Sequence, residues 1–215
     1  MGLELATESR SRYSTYRGRC LPALNGTGHI GRPALVSPLS NVLAPETTSV
    51  AQRHSQQPIL FVDVDGVISL FGFPSGGTVP GQFHWVDGIA HCISDGAGPR
   101  LRRLAGTFEL VWATGWEEKA NEYLPLLLDL PDDELPVLSF DGRASFGTAH
   151  WKVEALDEYA GARPAAWIDD SLDERCTAWA SGRSAPTLLV QTDPAEGITD
   201  AHVEQLLAWA SELPR

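Results

Sequence analysis

Cysteine is scarce and unsuitably spaced: Cys20, Cys92 and Cys176 are the only three in 215 residues, and no two form a CxxC pair. An odd, dispersed set does not read as a disulfide framework, and it points to a reducing compartment. Long apolar runs are missing too. No stretch approaches the roughly 18 consecutive apolar residues of a membrane span. The N-terminus lacks the positive, apolar, small-residue order of a signal peptide. The expectation is a soluble, cytoplasmic protein with no membrane association. Positive charge is also short, with 16 Lys and Arg against 28 Asp and Glu, a net −12. The deficit is uneven. Residues 1–57 hold six Arg and three Glu (net +3), so residues 58–215 hold ten basic and twenty-five acidic residues (net −15). Such an acidic body disfavours a broad nucleic-acid footprint.

What is present is enough apolar material, 43% with 8% aromatic, for a sizeable core in one globular unit. Residues 1–56 are rich in Ser, Thr, Arg, Gly and Pro without sustained periodicity, and are expected to be a disordered N-terminal extension. From residue 57 onward short apolar runs alternate with amphipathic stretches, the pattern of βα units. Strands are predicted at 59–64, 108–113, 136–140, 165–169 and 187–192. Helices are predicted near 98–106, 117–129, 151–160, 171–181 and 200–213. The last has Thr199 as N-cap and Ile198 with Val203 as a hydrophobic staple. The fold class that follows is a three-layer α/β sandwich around a mainly parallel five-stranded sheet. In such sheets ligands sit beyond the carboxyl ends of the strands.

Those ends carry the chemistry-bearing residues. "FVDVDG" sets Asp63 and Asp65 one residue apart at the end of an apolar strand, where like charges repel and desolvation is costly. The pair needs a compensating cation. The second strand ends in Thr114 and Gly115, and the fourth in Asp169 and Asp170. Taken alone, Thr114 reads as a helix N-cap, Lys152 as a surface lysine, and the 169/170 pair as a strand-to-helix turn. In order, "FVDVDGV", "LVWATGW", Lys152 in "HWKVEAL" and "AAWIDDS" resemble the four motifs of haloacid dehalogenase (HAD) superfamily phosphatases: DxD, a Thr or Ser, a Lys, and a terminal Asp pair. The resemblance spans about residues 58–192. "ELVWATGWEEKAN" is in addition similar to HAD domains associated with RNA-repair proteins.

The resemblance implies a HAD-like Rossmannoid fold and a phosphohydrolase that works through an aspartyl-phosphate. Asp63 is then the nucleophile, and Asp65 the general acid and base that protonates the leaving oxygen and later deprotonates water. Thr114 and the N–H groups of Gly115 and Trp116 would cradle phosphate, and Lys152 would stabilise the nucleophile and the transition state. Up to four carboxylates beside an anionic substrate call for a divalent ion. Mg²⁺ would be held by Asp63, the backbone carbonyl of Asp65, and Asp169, with Asp170 a further ligand or a partner through water. Which of Asp169 and Asp170 touches the metal is left open.

Asp65 to Thr114 spans 49 positions and Thr114 to Lys152 spans 38, too few in either gap for a large cap domain. An open site suits a phosphorylated substrate that is either a small molecule or a macromolecular end. Phe83, His84 and Trp85 are candidates for substrate contact. Trp116 packs against the flap after the first strand or stacks on a base, while Asp87 and His91 read as helix-capping or surface residues. Two other readings stand beside the phosphohydrolase: a non-catalytic phosphate- or partner-binding module, and halide displacement, which requires neither Asp65 nor a metal.

Overall fold

The computed structural model describes residues 57–74, 76–140, 143 and 147–214. The expected N-terminal extension, residues 1–56, lies outside the described residues. Four strands form a parallel sheet in the order β5-β1-β6-β7: β1 (Ile59–Val62), β5 (Glu109–Trp112), β6 (Ala165–Asp169) and β7 (Thr187–Gln191). Every residue of β1 and β6 is buried, because a parallel strand is covered on both faces and its sequence therefore reads as an unbroken apolar run. Alternation then decides which layer each side chain joins. Leu60, Val62, Leu110, Trp112, Ala166 and Ile168 meet α1 (Ala97–Ala105), α2 (Lys119–Leu128) and α5 (Asp200–Ser211) in one apolar cluster. Ile59, Phe61, Val111, Ala165 and Trp167 meet α3 (Val153–Ala160) and α4 (Glu174–Gly182) in the other. Three layers result.

The fifth expected strand, 136–140, makes only one parallel bridge, Val137 to Trp112, with two backbone hydrogen bonds of 2.8 and 2.9 Å. Pro136 brings no N–H to the ladder, and the Phe140 N–H donates to the Glu117 carboxylate at 2.9 Å. The sheet therefore has four full strands. Helix α2 starts at Lys119 rather than 117, because Glu117 sits at φ +49° in a turn closed by its N–H on the Thr114 carbonyl. Helix α5 begins as expected: Thr199 Oγ1 accepts from the His202 N–H while His202 Nδ1 accepts from the Thr199 N–H, a reciprocal cap.

Between β1 and α1 the chain folds a small antiparallel flap, β2 (Ser69–Leu70), β3 (Gly81–Val86) and β4 (Ile89–Ser94), in the order β2-β4-β3. Its β3–β4 turn is Asp87-Gly88 with φ of +49° and +79°, the left-handed pair that suits a tight hairpin. Among the described residues neither gap between motifs holds a further domain. The parallel sheet with helices on both faces is consistent with the HAD-like α/β fold that the motifs imply. No helix among the described residues is long and apolar enough to cross a membrane.

Candidate active site

Register brings the acidic residues together. Because β1 and β6 are adjacent and Val62 pairs with Ile168, Asp63 and Asp169 leave the carboxyl end of the sheet side by side, and the Asp63 N–H donates to the Ile168 carbonyl at 3.1 Å. Lys152 closes the group from a short 3-10 turn, His150–Lys152, in front of α3. Its Nζ lies 2.9 Å from Asp63 Oδ1 and 2.7 Å from Asp169 Oδ2. The lysine is 3% exposed, so it is a buried counter-ion and not the surface residue that helical amphipathicity alone would allow. Ser171 fixes the acidic pair: its N–H donates to Asp169 Oδ1 at 2.9 Å and its hydroxyl to Asp170 Oδ1 at 3.0 Å. Gly66, at φ +72°, lies against Asp170 so closely that a Cβ there would sit 2.5 Å from Asp170 Cγ. Glycine after the DxD thus serves both the turn and the acidic pair.

The electrostatics are unbalanced. Burial pushes the Asp63 carboxyl up to about 7; the Lys152 ammonium pulls the other way, and the charge of Asp169 adds to the rise. Burial opposes the charge on Lys152, yet Asp63 and Asp169 outweigh it and hold its pKa above the ordinary lysine value. Burial likewise raises Asp65 and Asp170 above the usual carboxylate range. One ammonium faces more carboxylates than it can neutralise. Asp63, Asp169 and Asp170 each offer an oxygen, and these atoms lie within 4.8 Å of one another. A cluster of hard oxygen donors with surplus negative charge fits a divalent cation of the Mg²⁺ type.

These groups form the floor of a cleft of about 420 Å³. Gly115 lines it, while Thr114 is fully buried behind, its Oγ1 accepting from the Trp116 N–H at 3.2 Å. That N–H, expected on a phosphate, is turned inward. The Asp65 carboxylate stands apart from the metal-type cluster: Trp116 Nε1 donates to its Oδ2 at 3.0 Å. Trp116 packs edge to face on His91 of the flap, whereas Trp112 belongs to the core.

The flap residues sort differently from expectation. Phe83, His84 and Trp85 do not line the cleft, because β3 is the outer strand of the flap and β4 lies nearer the site. Asp87 is exposed, as expected of a surface residue, and with the half-buried His91 it lines the cleft. Asp87 terminates β3 and pairs with Lys119 at the start of α2. The Asp-Gly dipeptide between "FHWV" and "IAHC" is a hairpin signal that would have put both residues on a flap. Nothing in the spacing identifies His91 as a neighbour of Trp116, since that contact is made between separate elements.

No protein-family model and no curated protein matches the chain. Among solved structures it is similar to the HAD domain of the effector protein Lem4 from Legionella pneumophila, with 14% identity and a TM-score of 0.47 over 72% of this chain and 95% of that one. It is similar also to a hypothetical protein from Xanthomonas campestris, with 14% identity and a TM-score of 0.41 over 82% of this chain and 95% of that one.

Proposed function

We propose that the protein is a Mg²⁺-dependent phosphohydrolase acting through an aspartyl-phosphate on Asp63, with Asp65 as general acid and base. The observation that carries this reading is the Lys152 ammonium bridging the buried carboxylates of Asp63 and Asp169 on the floor of an open cleft, with a further carboxyl, Asp65, at its edge. Such an arrangement keeps an attacking carboxylate oriented and desolvated while leaving a second carboxyl free to move a proton.

In the first step an Asp63 oxygen bonds to phosphorus as the ester P–O bond breaks, and the Asp65 proton passes to the leaving oxygen. In the second a water oxygen bonds to phosphorus, its proton passes to Asp65, and the P–O bond to Asp63 breaks, releasing phosphate. Lys152 holds Asp63 in line and offsets charge on the transferring group. Asp63, the Asp65 carbonyl, Asp169 and Asp170 would hold the metal, which when bound supplies further charge neutralisation of the phosphoryl oxygens. Phe71, Ile89, Trp116 and Trp151 give the cleft an apolar wall, and its other ammonium, Lys119, is tied to Asp87. This wall supports a phosphate monoester whose leaving group presents an apolar face, on a small molecule or at a macromolecular end.

The test is hydrolysis of p-nitrophenyl phosphate by the full chain with Mg²⁺, with EDTA, and by Asp63→Asn. The expected result is turnover that disappears both on chelation and in the variant. Turnover that survives in Asp63→Asn would remove the nucleophile assignment.

A further inference from the structure

We propose that Trp116 is a positioning residue for Asp65, holding Oδ2 as a hydrogen-bond acceptor and leaving Oδ1 as the oxygen that exchanges the proton with substrate and water; this rests on the phosphohydrolase reading above. The indole Nε1 donates to Oδ2 at 3.0 Å. Indole is a donor only, so an Asp65 that carries a proton keeps this bond only with the hydrogen on Oδ1. The Asp65 side chain is 51% exposed against 9% for Asp63, which lets one oxygen face an incoming ester while the other is held.

The indole is itself braced from two sides. Its ring meets His91 edge to face, with centroids 4.6 Å apart and planes at 68°. His91 Nδ1 pairs with Ser69 Oγ at 2.9 Å, and Ser69 is the first residue of β2, just beyond the turn that follows Asp65. The same Nδ1 stands 3.9 Å from Asp65 Oδ1, too far for a hydrogen bond, so His91 steadies the tryptophan, and Ser69 is a second side-chain hydrogen-bond partner of the Asp65 carboxyl. The Trp116 backbone is fixed by its N–H on Thr114 Oγ1. The chain of contacts runs from the flap through His91 and Trp116 to one oxygen of Asp65. In the reaction, Oδ1–H is given to the ester oxygen as its bond to phosphorus breaks. Oδ1 then takes the proton of the water whose oxygen displaces Asp63.

A leaving group that is a poor nucleofuge needs the donated proton, whereas p-nitrophenolate leaves readily without it. The experiment measures kcat/KM, which reports transfer to Asp63, on p-nitrophenyl, phenyl and p-methoxyphenyl phosphate. Wild type is compared with Trp116→Phe and with a chain in which benzothiophene replaces the indole of residue 116. The second variant keeps shape and packing and deletes only the N–H, so it decides the matter if Trp116→Phe folds poorly. The expected result is a loss on phenyl and p-methoxyphenyl phosphate about tenfold larger than the loss on p-nitrophenyl phosphate, within the range general acid catalysis supplies. An equal loss on all three substrates, or none, would overturn the positioning role while leaving the phosphohydrolase reading in place. Wild-type protein with no turnover, or turnover independent of Asp63, would overturn that reading and the positioning role with it.

Discussion

Among the candidate site residues, Asp63 ties the charge of the site to the stability of the fold. Its carboxyl is pushed by burial to about 7, from 3.8 for the free group, so the folded chain keeps a proton that the unfolded chain gives up. A folded value above the unfolded one means stability that is complete below about pH 3.8 and is lost as pH rises through about 7. A cation at Asp63, Asp169 and Asp170 favours the ionised carboxylate and reverses that loss. Metal-free protein is therefore expected to show a thermal midpoint that falls between pH 5 and pH 7.5, and Mg²⁺ is expected to raise the midpoint more at pH 7.5 than at pH 5. Calorimetric scans with and without Mg²⁺ at the two pH values check this, and a Mg²⁺ shift larger at pH 5 would contradict it. The motifs named Asp63, Asp65, Lys152, Asp169 and Asp170 as candidates. They did not reveal that Lys152 is buried, because its neighbours in sequence are compatible with a solvated helix and only the contact with β1 and β6 encloses it.

At the scale of elements, strand and helix positions were legible where one local signal dominated. β6 coincides with the apolar run 165–169, and α5 starts where Thr199 caps it. Thr199→Ala removes the side-chain acceptor for the His202 N–H and is expected to cost about 1 kcal/mol, read as a lower urea midpoint at unchanged slope. An unchanged midpoint would mean that the buried staple of Ile198 and Val203 alone fixes the helix start. Elements were misread where signals competed. "PVLSF" has the composition of a strand, but Pro136 cannot donate and Glu117 captures the Phe140 N–H, leaving one bridge. The flap holds a tight turn, Asp87-Gly88, in a segment where no strand is predicted.

For the whole molecule, both apolar clusters and every candidate site residue lie at or after Ile59 among the described residues. A chain beginning at residue 57 is accordingly expected to match the full chain in thermal midpoint and in turnover of p-nitrophenyl phosphate. A large drop in either would assign residues 1–56 a part in the core or the site. The sequence by itself determined the α/β class, the chain order of the four parallel strands and their helices, and the acidic residues at the strand ends, because buried parallel strands, helix caps and strand-end carboxylates are written in short contiguous stretches. Tertiary structure alone decided that Asp63 and Asp169 stand in register, that Lys152 bridges them, and that the Trp116 indole engages Asp65. Those contacts join residues from 17 to 106 positions apart. Their geometry depends on strand order, side-chain burial and the close approach of separate elements, which local patterns do not encode.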